Sequence, residues 1–305
     1  MKFIRNTLDF QIPEACVVSL GKFDGLHLGH KYLLQELEKG KEKGYKCVIF
    51  TFDIPPKAFD KTEYKVLITN EEKEAIFEVA GIDYVIECPF TEDFKHLSPE
   101  AFLQWLMERI NMKQIVSGTD FRFGCNRSGS YEDLRKFSDK YGYEAVVVEK
   151  MQHEGEDISS TRIRNLIAEG KMEEANYLLG YDYFVTAKVS HGNALGRKIG
   201  FPTANQIPPK EKLLPPNGVY ASKVVVDGVT HYGVSNIGCK PTIAGEYPIG
   251  VETYIFDFDE KIYDKEITVS LLKFIRPEQK FGSVTELTEQ LKKDAATCKE
   301  YFRFT

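Results

Sequence analysis

The chain contains no run of about 18 apolar residues, the length a membrane-spanning helix needs, and its mean hydropathy is −0.32. No membrane partner is therefore expected. It also lacks a surplus of basic residues: 40 Lys and Arg stand against 46 Asp and Glu, a formal charge of −6. Binding to a nucleic-acid backbone needs the opposite balance, so a general nucleic-acid binder is excluded. The six cysteines form no Cys-x-x-Cys pair and lie scattered, mostly beside apolar residues. That argues against a zinc or disulfide framework and for buried reduced thiols in a cytoplasmic protein. The opening segment has neither the apolar core nor the small-residue ending of an export signal. Internal repeats and low-complexity linkers are missing too. What remains, 42% hydrophobic and 28% charged residues over 305 positions, is the balance of a folded protein of about two domains.

The sequence changes character near residue 182. Before it, short apolar runs at 15–20, 47–52, 82–87, 114–117 and 144–148 alternate with helical patterns at 31–43, 71–80, 99–110 and 131–141. That alternation predicts an α/β doubly wound parallel sheet, Rossmann-like, with ligands beyond the carboxyl ends of the strands. Two more helices are expected at 161–169 and 172–179. Extended runs at 183–190, 218–226, 231–237, 251–258 and 266–274 then predict an antiparallel β-barrel, followed by a terminal helix opened by a capping box at Ser283 and Glu286. The expected domains are 1–182 and 183–305.

After the first strand the chain reads Gly21-Lys22-Phe23-Asp24-Gly25-Leu26-His27-Leu28-Gly29-His30. The glycines permit close backbone approach, and the following helix offers free N–H groups and a positive dipole end to phosphate. His27 and His30, three apart, can share one face and stabilise a leaving pyrophosphate. No Gly-x4-Gly-Lys-Ser/Thr loop and no Gly-x-Gly-x-x-Gly competes with this segment. Ser159, Ser160, Thr161 and Arg164 read either as phosphate ligands or as an ordinary helix cap. Asp120, Phe121 and Arg122 follow another strand; aromatic faces with Arg suit a planar ring, and a buried aromatic pair is the plainer alternative. In the second half, the glycines of Gly196-Arg197-Lys198-Ile199-Gly200 open a loop able to wrap phosphates. Thr203 and Asn205 offer neutral oxygens at i and i+2, suited to magnesium or to a solvent-facing turn. Glu252, in a mostly apolar strand, is a candidate general base or an exposed carboxylate.

The His-x-Gly-His loop resembles that of the nucleotidylyltransferase superfamily. Taken with the second-half motifs, among them Pro202-Thr203-Ala204-Asn205, Asn236-Ile237-Gly238 and Ile275-Arg276-Pro277-Glu278, nearly the whole chain resembles the prokaryotic bifunctional riboflavin kinase/FMN adenylyltransferase family, also called FAD synthetase. The resemblance implies an N-terminal nucleotidylyltransferase domain and a C-terminal riboflavin kinase barrel. It implies riboflavin, FMN and FAD as substrates and products, with ATP as co-substrate and Mg2+ on Thr203 and Asn205. By the same resemblance Glu252 is the general base, Gly196 and Lys198 bind ATP, and Arg276 contacts the flavin. His27 and His30 serve the triphosphate, with Gly21, Phe23, Asp24, Gly29, Asp120, Ser159, Ser160, Thr161 and Arg164 around the second ATP; Phe121 and Arg122 meet FMN. The chain departs from the family pattern at Pro55, where a His is usual, at Lys22, and at Asp264, where a glycine is usual. Two alternatives follow: a single-activity riboflavin kinase with an impaired adenylyltransferase half, and a non-catalytic flavin-binding sensor.

Overall fold

The computed structural model describes residues 1–53, 65–191, 195–239 and 249–303, and Pro55 lies outside them. The chain forms two compact units. One comprises residues 1–64 and 70–159, and the other residues 65–69 and 160–305.

The first unit contains β1 (Lys2–Arg5), β2 (Ile12–Leu20), α1 (Leu28–Glu42), β3 (Lys46–Phe52), α2 (Asn70–Val79), β4 (Tyr84–Cys88), α3 (Glu92–His96), α4 (Pro99–Met107), β5 (Ile110–Gly118), α5 (Tyr131–Tyr141) and β6 (Glu144–Val148). A small hairpin, β7 (Gln152–His153) with β8 (Glu156–Asp157), closes it. Six strands form a sheet in the order β1-β4-β3-β2-β5-β6, and every pair is parallel. Cys16, Val17, Val18, Ser19 and Leu20 are all buried, as expected of a strand covered on both faces. Starts of helices follow local rules: Ser98 accepts a hydrogen bond from Ala101 N ahead of Pro99 at the first helical position, and Ser130 and Asp133 form a reciprocal capping box.

The second unit begins with α6 (Ser160–Ala168) and α7 (Met172–Leu179). There follow β9 (Phe184–Ser190), α8 (Leu195–Lys198), β10 (Thr203–Gln206), β11 (Gly218–Val226), β12 (Val229–Cys239), β13 (Ile249–Ile255), β14 (Glu266–Pro277) and α9 (Val284–Arg303). The six strands close into an antiparallel barrel in the order β10-β13-β12-β11-β14-β9, with β9 also bonded to β10. Three of its buried hydroxyls are paired across strands: those of Ser222 and Ser235 lie 2.7 Å apart, as do those of Ser235 and Thr253. Ser283 caps α9 by accepting from Glu286 N, but the Glu286 carboxylate accepts from Gly282 N rather than from Ser283 N. α8 occupies the start of the segment expected as an open phosphate loop. The turn is closed there by Ile199 N and Phe201 N, both donating to Gly196 O.

Among the described residues, no helix is long and apolar enough to cross a membrane. All six cysteines are free thiols: Cys16, Cys47, Cys88 and Cys298 are buried, Cys125 is half-buried and Cys239 is exposed.

Candidate active sites

In the first unit the strand order reverses at β2, whose neighbours β3 and β5 follow it on opposite sides. A crevice is expected beyond the carboxyl ends of β2 and β5 at such a switch point. The segments leaving those ends are 21–27 and 119–124, two of the three motifs singled out in the first half. The first is held in a strained shape: Phe23 and Leu26, both apolar and fully buried, adopt φ of 51° and 38°, with Gly25 at 81° between them. Left-handed conformations at bulky residues persist where the surroundings fix them, most often at functional sites.

His27 is the N-cap of α1. Its Nδ1 accepts from the backbone N–H of His30 at 3.4 Å, so the neutral ring carries its proton on Nε2. The His27 and His30 rings stack with centroids 3.8 Å apart. Burial pushes His27 down to about 4, against the opposing pull of Asp120 and Asp24; Lys150 adds to the depression. His30 is pushed well below the usual histidine range by burial, then by His27 and Lys73. Both rings are therefore neutral at neutral pH, able to donate hydrogen bonds but not to carry charge. The Nδ1 of His30 is buried with no hydrogen-bond partner. A ligand oxygen could satisfy a donor at that position.

Phe23 does not present its ring as a ligand surface. It is 1% exposed and packs on His30 at 5.2 Å and on Phe77 at 5.8 Å, so it supports the histidine. Asp24 is buried, with Lys22 Nζ 3.9 Å from its carboxylate. Gly29 lies beside His27, where an added Cβ would sit 3.2 Å from Nδ1. Asp120 pairs with Lys150 Nζ at 3.5 Å, and Lys150 also holds Asp157 at 2.7 Å. Phe121 is half-buried and stacks on the core residue Phe123 with centroids 5.5 Å apart, so it is only partly the buried pair raised as the alternative. Arg122 is exposed, donating to the carbonyls of Phe121 and Thr119. Sequence reasoning missed Lys73 and Lys150. Lys73, lowered by burial, is drawn upward by Asp24 and Glu87. A lone Lys in a charged helix, or two residues past a strand, carries no sequence signal.

The third motif is divided by the boundary between the units. Ser159 ends the first and Ser160 opens α6 in the second. Within the second unit, Arg162 pairs with Glu174 at 3.0 Å and Arg164 donates to the Lys65 carbonyl at 3.2 Å.

The barrel carries a cleft of about 240 Å³ on the side covered by α9. Its walls include Thr203, Asn236, Glu252 and Arg276, with apolar Val234, Phe281 and Leu291. The strand register explains the convergence. Ser190, Asn205, Glu252, Asn236, Val219 and Arg276 fall in one row across β9, β10, β13, β12, β11 and β14. Directly paired residues share a face, so Glu252 stands between two asparagines. Thr203 and Asn205 alternate along β10 onto that same face. Asn205 is buried; its amide nitrogen donates to Thr203 O at 3.3 Å, which turns the amide oxygen away from that carbonyl. Gly196 is required where it is, because a Cβ would lie 2.2 Å from the Phe201 carbonyl oxygen. The Lys198 side chain is outside the described residues. Arg276 makes a two-pronged pair with Asp294 of α9, at 2.9 and 2.6 Å, and Gln290 donates to the same carboxylate at 2.8 Å.

A parallel sheet with paired imidazoles at its switch point, joined to a barrel whose cleft gathers Thr, Asn and Glu, defines a two-module transferase acting on nucleotides. Residues 9–162 match the family model described as FAD synthetase, and residues 179–302 the one described as riboflavin kinase. The chain is 37% identical over 290 residues to the bifunctional riboflavin kinase/FMN adenylyltransferase of Listeria monocytogenes, covering 94% of this chain and 92% of that protein. It is 36% identical to the protein of the same description from Escherichia coli, over 100% of this chain and 99% of that one. A solved structure described as a macrolide-efflux protein from Streptococcus pneumoniae superposes with a TM-score of 0.86 at 33% identity, covering 96% of this chain and 97% of its own. The chain belongs to the bifunctional riboflavin kinase/FMN adenylyltransferase family.

Proposed function

We propose that this cytoplasmic enzyme makes FMN and then FAD, with the barrel cleft and the histidine crevice as two separate reaction sites. The functional halves we assign are 1–182 and 183–305. In the barrel, the riboflavin 5′-hydroxyl oxygen attacks the γ-phosphorus of ATP, the bond to the β-phosphate oxygen breaks, and ADP leaves. Glu252 takes the hydroxyl proton. Thr203 and Asn205 supply neutral oxygens of the kind Mg2+ accepts alongside phosphate and water, and Mg2+ bound there would offset charge on the transferring phosphoryl group. Gly196 and Lys198 belong to the ATP side, and Arg276 to the flavin side. The observation that carries this reading is the register row that sets half-buried Glu252 between Asn205, which is buried, and Asn236, with Glu252, Asn236 and Thr203 lining the cleft.

In the other half, a phosphate oxygen of FMN attacks the α-phosphorus of a second ATP and expels pyrophosphate. Neutral His27 and His30 donate hydrogen bonds to the triphosphate as charge builds on the leaving group. The residues we assign to the nucleotide are Gly21, Asp24, Gly29, Asp120, Ser159, Ser160, Thr161 and Arg164, and those we assign to FMN are Phe121 and Arg122. The efflux description of the structural relative has no counterpart in either family match.

The test is direct. Pure protein is incubated with riboflavin and Mg-ATP, and FMN and FAD are resolved over time. FMN should rise first and FAD follow. FMN alone would reduce the enzyme to a kinase, FAD only from supplied FMN would leave the adenylyltransferase, and neither product would favour a flavin sensor.

A further inference from the structure

We propose that Asn236 is a specificity-determining residue of the kinase cleft, its amide oxygen accepting a hydrogen bond from a secondary hydroxyl of the polyol chain of riboflavin. Glu278 acts through it as a positioning residue. The proposal rests on the reading of Glu252 as base.

Asn236 lies directly opposite Glu252 in the β12–β13 ladder and lines the same cleft. Its side-chain nitrogen donates to Glu278 Oε1 at 3.3 Å, while Asn217 donates to the other oxygen, Oε2, at 3.1 Å. A carboxylate accepts and does not donate, so this pairing fixes which end of the amide faces Glu278. The amide oxygen is left on the opposite side as an acceptor. Along the row, the strand beyond Asn236 contributes Val219, and one pair further along β12 stands Val234, both on the apolar wall. Asn236 therefore sits between the carboxylate that meets the terminal hydroxyl and the apolar surface that suits the ring. The intervening part of the substrate is the hydroxylated chain.

Gly238 shows that the clamp depends on close packing. A Cβ there would lie 2.1 Å from Glu278 Oε1 and 3.3 Å from Asn236 Nδ2. Gly238→Ala must therefore expel the Glu278 carboxylate, a flexible side-chain end, and release Asn236 to turn.

The experiment measures steady-state FMN formation with riboflavin and with analogues lacking one side-chain hydroxyl at a time. For Asn236→Ala, KM for riboflavin should rise about tenfold, the value of one hydrogen bond in a desolvated site, with kcat within about twofold. One deoxy analogue should show the same KM with the variant and with the unaltered protein, because its partner hydroxyl is already missing. Gly238→Ala and Glu278→Gln should move KM the same way by a smaller factor. A kcat for FMN formation that stays within about twofold reports that the barrel of each variant is folded, and FAD formation from supplied FMN serves as the unaffected reference. An unchanged riboflavin KM in Asn236→Ala would overturn the proposal, as would equal losses on riboflavin and every analogue. Glu252→Gln is measured alongside: full activity in that variant would sink the reading of the base, whereas its loss with an indifferent Asn236→Ala sinks only this inference.

Discussion

The two candidate sites are built on opposite principles. In the parallel unit the chemistry-bearing residues ride on loops bent into left-handed backbone at Phe23 and Leu26, and the two imidazoles are stripped of water and kept neutral. In the barrel they stand on regular strands, in register, and the ladder itself spaces Asn205, Glu252 and Asn236. A loop site can hold a group in an environment that shifts its protonation, at the expense of backbone strain. A ladder site gains precise spacing without strain, but each residue there must keep its alternation.

That contrast can be broken most sharply at Glu252. Glu252→Gln should lower FMN formation by about 10³, within the range for losing a general base, while FAD formation from supplied FMN stays intact; loss of both in a folded variant would mean the sites are not independent. His27 is the mirror test. His27→Ala should cost about 10² in FAD formation and, through loss of the cap on α1, about 1 kcal/mol in stability. His27→Asn restores a capping oxygen, so it should recover the stability and not the rate. Calorimetry with product analysis separates the two roles. Gly196→Ala, forced against the Phe201 carbonyl, should destabilise the barrel by about 1–3 kcal/mol and raise KM for ATP in the kinase reaction only.

The smallest effect concerns pH. Folded His27 binds its proton at about 4, against about 6.5 for an ordinary histidine. Between those values the unfolded chain binds more protons than the folded one, so the His27 contribution should weaken stability as pH falls from about 6.5 to about 4 and vanish above that window. His27→Asn should flatten this slope. Likewise, kcat/KM for FAD formation should keep its acid limb near pH 4 rather than near 6.5, since kcat/KM reports the free enzyme.

Much of this was legible in the sequence. The β2, β3, β5 and β6 runs were visible because buried parallel strands read as continuous apolar stretches, and the barrel strands because turns punctuate them. β1 has four residues, α3 has five and the β7–β8 hairpin two per strand, too short for a period to show. The histidine pair was found from its spacing, but its neutrality depends on burial by residues distant in sequence. Thr203 and Asn205 are legible as extended; that β10 is a full member of a closed barrel follows from pairing with β9 and β13, which no local pattern encodes. Asn236 is legible only as part of a motif, because its bond to Glu278 spans 42 positions.

Closure of the barrel has one more consequence. Because β9 bonds to both β14 and β10, that sheet offers no open edge to another chain. Among the described residues, the parallel sheet ends at β1 and β6, which pair on one side only. Unpaired strand edges are where aggregation by strand addition starts. On mild heating, self-association should therefore begin in the adenylyltransferase half, leaving the vitamin-phosphorylating half the last to be lost.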